Sequence, residues 1–250
     1  MKKLVNIVVM TGLVSMPALA LADQTASPLS ANIGVTSDYL FRGISQTAHD
    51  PAVQGGVDYA NPNGLYVGVW GSNVSWVREG GFENNSSLEG DLYGGYKGKA
   101  GDFGYDVGAI TYYYPGDQIG IMPSPNTTEL YLGGSWKFLS AKYSQAVSSN
   151  FIGWTNPVTG DGSRGSGYLE LNANYGLGNG WGLIGHVGHQ SVENYSAADY
   201  TDYKLGVSKD VGFGVVSLAY SDTNANSAPY TVAGKNLADG RGILSFTKSF

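Results

Sequence analysis

Apolar and polar residues alternate along much of this chain. Over residues 102–114, Phe103, Tyr105, Val107, Ala109 and Tyr113 share one parity, while Asp106 and Gly108 share the other. In 52–60, Val53, Val57 and Tyr59 oppose Gln54 and Asp58; in 87–97, Leu88, Leu92 and Tyr96 oppose Glu89, Asp91 and Lys97. Successive strand side chains point to opposite faces, so a period of two marks strands with one apolar and one polar face. Bounded by turn residues, this pattern predicts about twelve strands. They fall near 29–42, 52–60, 64–76, 87–97, 102–114, 127–136, 139–148, 166–176, 181–191, 199–208, 212–221 and 240–250. Most approach the length of about 9–11 residues that a tilted strand needs to cross a bilayer.

The connections alternate too. "NPNG" (61–64), "GKAG" (98–101), "KFL" (137–139), "GLGNG" (176–180) and "KDVG" (209–212) are short. Between them lie "GISQTAHDP", "VREGGFENNSS", "PGDQIGIMPSPN", the stretch 149–165, "VENYSAA" and 222–239. Tight turns at one end and long loops at the other describe an up-and-down barrel of the outer-membrane type, with short periplasmic turns and longer extracellular loops. A Greek-key sandwich gives no reason for such order. Charge recurs on the polar face of nearly every strand and aromatics recur near the strand ends, as in the interfacial girdles of membrane barrels. The expected fold is an all-β, transmembrane, antiparallel up-and-down β-barrel.

The last segment, "GRGILSFTKSF", places Leu244, Phe246 and Phe250 on one parity with Lys248 among them. An open strand edge invites aggregation, so this strand is expected to pair with "LSANIGVTSDYLF" and close the cylinder. A terminal aromatic preceded by alternating apolar residues resembles the closing strand of outer-membrane barrels. That resemblance implies recognition of the strand ending at Phe250 by the barrel-assembly machinery.

The N-terminus carries a different signal. Lys2 and Lys3 precede the apolar run "LVNIVVMTGLVSMPALALA", and Ala20 and Ala22 form an A-x-A site before Asp23. This is the pattern of a cleaved secretory signal over 1–22, leaving 23–250 as one barrel domain. Charged residues make up 14% of the chain, against roughly 25% in ordinary soluble proteins. The absence of cysteine excludes disulfides, thiolate metal sites and a cysteine nucleophile. A formal charge of −6 without basic clusters argues against nucleic acid as a partner.

Residues 30–76 read "SANIGVTSDYLFRGISQTAHDPAVQGGVDYANPNGLYVGVWGSNVSW". This stretch resembles the N-terminal third of the TorF-type porins of Gram-negative bacteria. The matching positions are Ser37, Tyr39, Phe41, Arg42, Gly43, Ser45, Gln46, Thr47, Pro51, Gln54, Gly55, Gly56, Asp58, Tyr59, Gly64, Tyr66, Gly68 and Trp70. The resemblance implies a bacterial outer-membrane location, with lipid and lipopolysaccharide as surroundings, and a diffusion role. It names no substrate and no catalytic residue.

Candidate chemistry is sparse. His186 and His189 are an odd number apart, so a regular strand sends them to opposite faces and no paired metal site forms. "DGSRGSGYLE" (161–170) has Ser163 and Gly165 where calcium ligands would alternate. "GLGNGWG" precedes no helix and lacks phosphate-binding geometry. His189 and Ser191 lie two apart on a face shared with Trp181, Leu183 and Val187, a pairing that resembles outer-membrane phospholipases. A nucleophilic serine needs a base and a group orienting that base. Asp199 is the only acid nearby, and the Asn-Gly-Arg that follows the serine in those lipases is replaced here by "VENYS".

These readings converge on a passive diffusion pore for small hydrophilic solutes or ions. No cofactor, metal or catalytic residue is implied. The expected inward-facing residues are Asp58, Glu89, Asp91, Lys97, Asp106, Glu129, Lys142, Glu170, His186 and Asp202, with Lys204 beside them. Acids outnumber bases among them, which points to a modest cation preference. Arg42 is expected at the top of the first strand, either as a rim residue or as a constriction charge facing an acidic wall. The rival functions are a surface phospholipase using His189 and Ser191, and a structural or adhesive barrel.

Overall fold

A computed structural model describes residues 27–250. The expected signal segment, 1–22, lies outside the described residues. Twelve antiparallel strands close into one barrel. In chain order they are β1 (Leu29–Thr36), β2 (Ala52–Ala60), β3 (Leu65–Asn73), β4 (Leu88–Ala100), β5 (Phe103–Tyr113) and β6 (Thr127–Trp136), followed by β7 (Leu139–Ala146), β8 (Gly167–Gly178), β9 (Trp181–Ser191), β10 (Tyr200–Asp210), β11 (Val215–Thr223) and β12 (Arg241–Ser249). Each strand pairs with its sequence neighbours. The seam is β1 against β12, with Val35 opposite Phe246 and Ile33 opposite Lys248. Closure satisfies every strand edge, the condition a sheet must meet to sit in lipid.

The outer face is apolar. Leu132 is 63% exposed and Leu205 is 73% exposed, and Leu92, Val107, Leu171 and Leu218 stand out in the same way. Such an apolar surface is at home only in hydrocarbon. Near the short turns, Phe103, Trp136, Phe138, Trp181, Phe213 and Phe250 stand outward as an aromatic belt for the bilayer interface. Lys248 lies beside the belt, its Nζ 4.8 Å from the centre of the Phe250 ring. A lysine at this depth can extend its charge to the headgroups while its stem covers apolar surface.

Local chemistry sets the turns. Between β8 and β9 only Asn179 and Gly180 intervene, both at positive φ (51° and 78°). A two-residue hairpin with the right-handed strand twist requires this conformation, and Asn-Gly supplies it. Lys209 Nζ donates to the Asn179 carbonyl at 2.6 Å and pins the turn.

One expectation about the strands is corrected. The first strand ends at Thr36 rather than near 42, and Arg42 does not stand at its top. After Thr36 the chain turns into the barrel, forms a short hairpin (Leu40–Phe41 with Ile44–Ser45) and emerges at Pro51. Arg42 and Gly43 make its tip at φ 50° and 81°. A side chain added at Gly43 would meet Asp202 and Thr223 at 2.7 Å, so the tip packs against β10 and β11, and its positive φ also favours glycine there. The parity of "DYLF" matched a strand because it too alternates, but its backbone pairs with Ile44–Ser45 in a hairpin of its own rather than with a barrel strand.

Candidate functional site

The inner wall is polar by parity and is built from a repeated device. Tyr93 on β4 faces Gly68 on β3 in register, and its hydroxyl crosses that glycine to donate to Asp58 on β2 at 2.6 Å. Tyr168 on β8 crosses β9 at Gly188 and donates to Asp202 on β10 at 2.7 Å. Tyr66 on β3 crosses β4 beside Gly95 and donates to Asp106 on β5 at 2.7 Å, with the Tyr131 hydroxyl also bonded to it. A Cβ at Gly188 would fall 1.9 Å from the Tyr168 hydroxyl oxygen. Each tyrosine ring thus lies against the wall only because the intervening strand offers no side chain. The device braces three adjacent strands at once and fixes an aspartate on the inner surface.

The sequence-predicted residues all point inward, and most of them meet. Lys142 Nζ lies 3.0 Å from Glu170 Oε1, and Lys97 Nζ lies 4.0 Å from Asp106 Oδ2. His186 bonds Asp202 through Nε2 at 2.8 Å and Asn172 through Nδ1 at 2.7 Å. Lys204 is half-buried on β10, its neighbour in register being His186. Asp58 remains half-exposed, whereas Glu89, Asp91 and Glu129 are buried.

Arg42 is the centre of the loop-end half. It is 3% exposed and lies inside the barrel, not at the rim. One guanidinium nitrogen donates to Glu129 Oε2 at 2.6 Å and the other to Gln190 Oε1 at 2.8 Å. The guanidinium carbon stands 4.3 Å from the centre of the Tyr168 ring and 4.7 Å from that of Phe41. Planar, weakly hydrated guanidinium is the cation best suited to carboxylate and aromatic contact together. The inward hairpin is then fastened by Asp38, whose carboxylate accepts from Ser45 Oγ at 2.6 Å and Thr47 Oγ1 at 3.0 Å. His49 Nδ1 lies 3.1 Å and Arg241 Nε 3.4 Å from the same carboxylate.

Sequence reasoning placed Asp38, Tyr39 and Gln190 in no role. Only the charge of Asp38 in an otherwise polar segment hinted at one. Phe151, from the loop 149–165, also packs inside against the Arg42 guanidinium. Two long loops therefore enter the lumen, with residues 37–50 as the main filling. In the loop after β3, burial, with Asp117 nearby, raises the Glu83 carboxyl above the usual range.

His189 and Ser191 lie on the outer face, both exposed. The His189 Nδ1 bonds Thr201 Oγ1 at 2.9 Å, and Asp199 Oδ1 accepts from the Val192 amide at 2.6 Å. Asp199 is therefore committed to the backbone rather than orienting His189.

Known proteins place this architecture. By structure the chain is similar to the KdgM porin (TM-score 0.55, 10% identity, covering 88% of this chain and 99% of that one). It is also similar to the NanC porin (TM-score 0.59, 13% identity, covering 89% of this chain and 98% of that one). At these identities the likeness is one of fold. A further solved structure with TM-score 0.54 is the KdgM porin in complex with disordered oligogalacturonate. No curated protein sequence matches. The model of one bacterial family of unknown function matches residues 22–250, and the chain belongs to that family, Gcw_chp.

Proposed function

We propose that this protein is an outer-membrane channel for small hydrophilic solutes or ions, with a modest preference for cations. The observation that carries the reading is a closed twelve-stranded barrel with an apolar exterior and a charged, hydrogen-bonded interior. The likeness of 30–76 to TorF-type porins supports the same reading, as does the fold shared with KdgM and NanC. Oligogalacturonate, found with KdgM, is a polyanion. The inner wall here carries more carboxylates than bases and disfavours such a solute. The outer-membrane setting brings lipid and lipopolysaccharide against the apolar face, and the strand ending at Phe250 is the segment offered to the assembly machinery.

The half of the interior near the long loops is packed, which favours one rival, a structural or adhesive barrel. Planar-bilayer recording separates the two. The channel reading expects discrete conductance steps and a reversal potential of cationic sign across a KCl gradient, clearest in dilute salt. Folded, heat-modifiable protein that never conducts would favour the structural barrel. Orientation is checked with single cysteines, which are clean probes because the chain has none. Asn226→Cys should react with an impermeant thiol reagent on intact cells, and Asn179→Cys should not.

A further inference from the structure

Three lysines stand outward in the aromatic belt at the short-turn end, each against a ring. Lys137 Nζ lies 4.3 Å from the centre of the Trp136 ring, Lys209 Nζ 5.1 Å from that of Trp181, and Lys248 Nζ 4.8 Å from that of Phe250. The strands put them there. Lys209 faces Trp181 on β9 in register, Lys248 shares the parity of Leu244 and Phe250, and Lys137 sits in the two-residue turn between β6 and β7. Among the described residues none of the three pairs with a carboxylate. Asp210, next to Lys209 in the chain, takes the lumen parity and accepts from the Gly212 amide at 2.8 Å. The belt is also uneven. All three lysines lie on the arc from β6 to β12. On the arc from β1 to β5 the outward residues at the same end are Leu29, Tyr59, Leu65, Tyr96 and Phe103, with no base among them. Lys99, exposed on β4, has the parity of the lumen-facing Lys97.

We infer that these lysine–aromatic pairs are posts for the phosphate of anionic glycerophospholipids, so that one arc of the barrel gathers anionic over zwitterionic lipid around its short turns. The inference rests on the outer-membrane reading of the barrel and not on conduction. An ammonium over an aromatic face keeps its three N–H donors, and Lys209 spends one of them on the Asn179 carbonyl. The remaining donors reach oxygens at headgroup level, while the stem and the ring stay at the edge of the hydrocarbon. A zwitterionic headgroup brings its own ammonium to the same place and loses much of the attraction. A headgroup whose only charge is its phosphate keeps it, and one such lysine favours anionic lipid about fivefold. Lys248 and Lys209 stand two strands apart, about 10 Å along the sheet, and Lys137 lies further round. Each post therefore takes its own headgroup.

Tryptophan fluorescence reports the occupant. Trp136 and Trp181 belong to posts and face outward, whereas Trp70, Trp76 and Trp154 belong to or pack against the buried cluster. The protein is reconstituted into phosphatidylcholine vesicles containing a fraction of phosphatidylglycerol, or of phosphatidylcholine, brominated at the headgroup end of its acyl chains. In the wild type, brominated phosphatidylglycerol should quench with about fivefold higher apparent affinity than brominated phosphatidylcholine, and molar salt should shrink that ratio. Lys137→Gln combined with Lys209→Gln should abolish the preference, and Lys137→Arg combined with Lys209→Arg should keep it. Heat-modifiability on gels reports folding of each; should the glutamine variant assemble poorly, the salt dependence of the wild type decides. No preference in the wild type, a preference indifferent to salt, or one untouched in the glutamine variant would overturn the inference and leave the channel reading to its own conductance test. Loss of the preference on adding inorganic phosphate would assign the posts to soluble anions and overturn it as well. Failure to insert into either kind of vesicle would overturn the outer-membrane reading, and this inference with it.

Discussion

The two halves of the barrel interior are built to different rules. Toward the long loops, Tyr39, Phe41, Tyr112, Tyr114, Phe151 and Tyr200 are all buried in one cluster, with the Arg42–Glu129 pair inside it. Toward the short turns the inward side chains are mixed: Asn32, Asp58, Tyr66, Tyr131, Lys142 and Asn172 are half-exposed, while Lys97, Asp106 and Ser208 are buried. The wall strands are the same in both halves. What differs is that residues 37–50 fold into one half, while among the described residues no loop segment folds into the other. A twelve-stranded cylinder is wider than one that side chains alone can fill, since about eight strands already leave just enough room for them. The chain therefore supplies a hairpin to fill one end.

This contrast orders the effects of substitution. Arg42→Ala should be the most damaging, because it strands Glu129 as a buried charge, a loss of about 3–5 kcal/mol. Its heat-modification midpoint should fall furthest, and the double variant Arg42→Ala with Glu129→Gln should regain part of that loss. No recovery in the double variant would mean that the pair acts through packing rather than charge. Gly188→Ala comes next. The new methyl displaces the Tyr168 hydroxyl from Asp202 and His186, costing about 1–3 kcal/mol, and a midpoint equal to wild type would remove the glycine-crossing device from the account. Tyr93→Phe should matter least, because the half-exposed Asp58 can take water in place of the lost donor, for about 0.5–1.5 kcal/mol. If Tyr93→Phe proved as severe as Gly188→Ala, the turn half would be as dry as the loop half and the contrast would fail.

The wall was legible in the sequence and the filling was not. Parity is a local property, so Asp58, Glu89, Asp91, Asp106 and their counterparts could be set on one face from their neighbours alone. The alternation of short and long connections likewise fixed the direction of every strand. The hairpin obeyed the same local parity over Asp38–Phe41, yet its structure depends on Glu129, Gln190 and Arg241, all far away in the chain. The tyrosine bridges were hidden for a related reason. Tyr93, Gly68 and Asp58 lie on three strands, and only the register between those strands reveals that a glycine stands under the ring. Asp91 was legible as an inward acid. That both its oxygens lack partners depends on what fills the lumen beside it.

The most direct test of the account is the single-channel conductance of a variant in which residues 39–48 are replaced by a short Gly-Ser link, compared with wild type in planar bilayers. The account predicts that the variant assembles as a heat-modifiable barrel, conducts in larger steps than the wild type, and keeps a cationic reversal potential, because the acidic wall remains when the hairpin is gone. A folded variant whose conductance equals that of the wild type, or one that turns anion-selective, would contradict it.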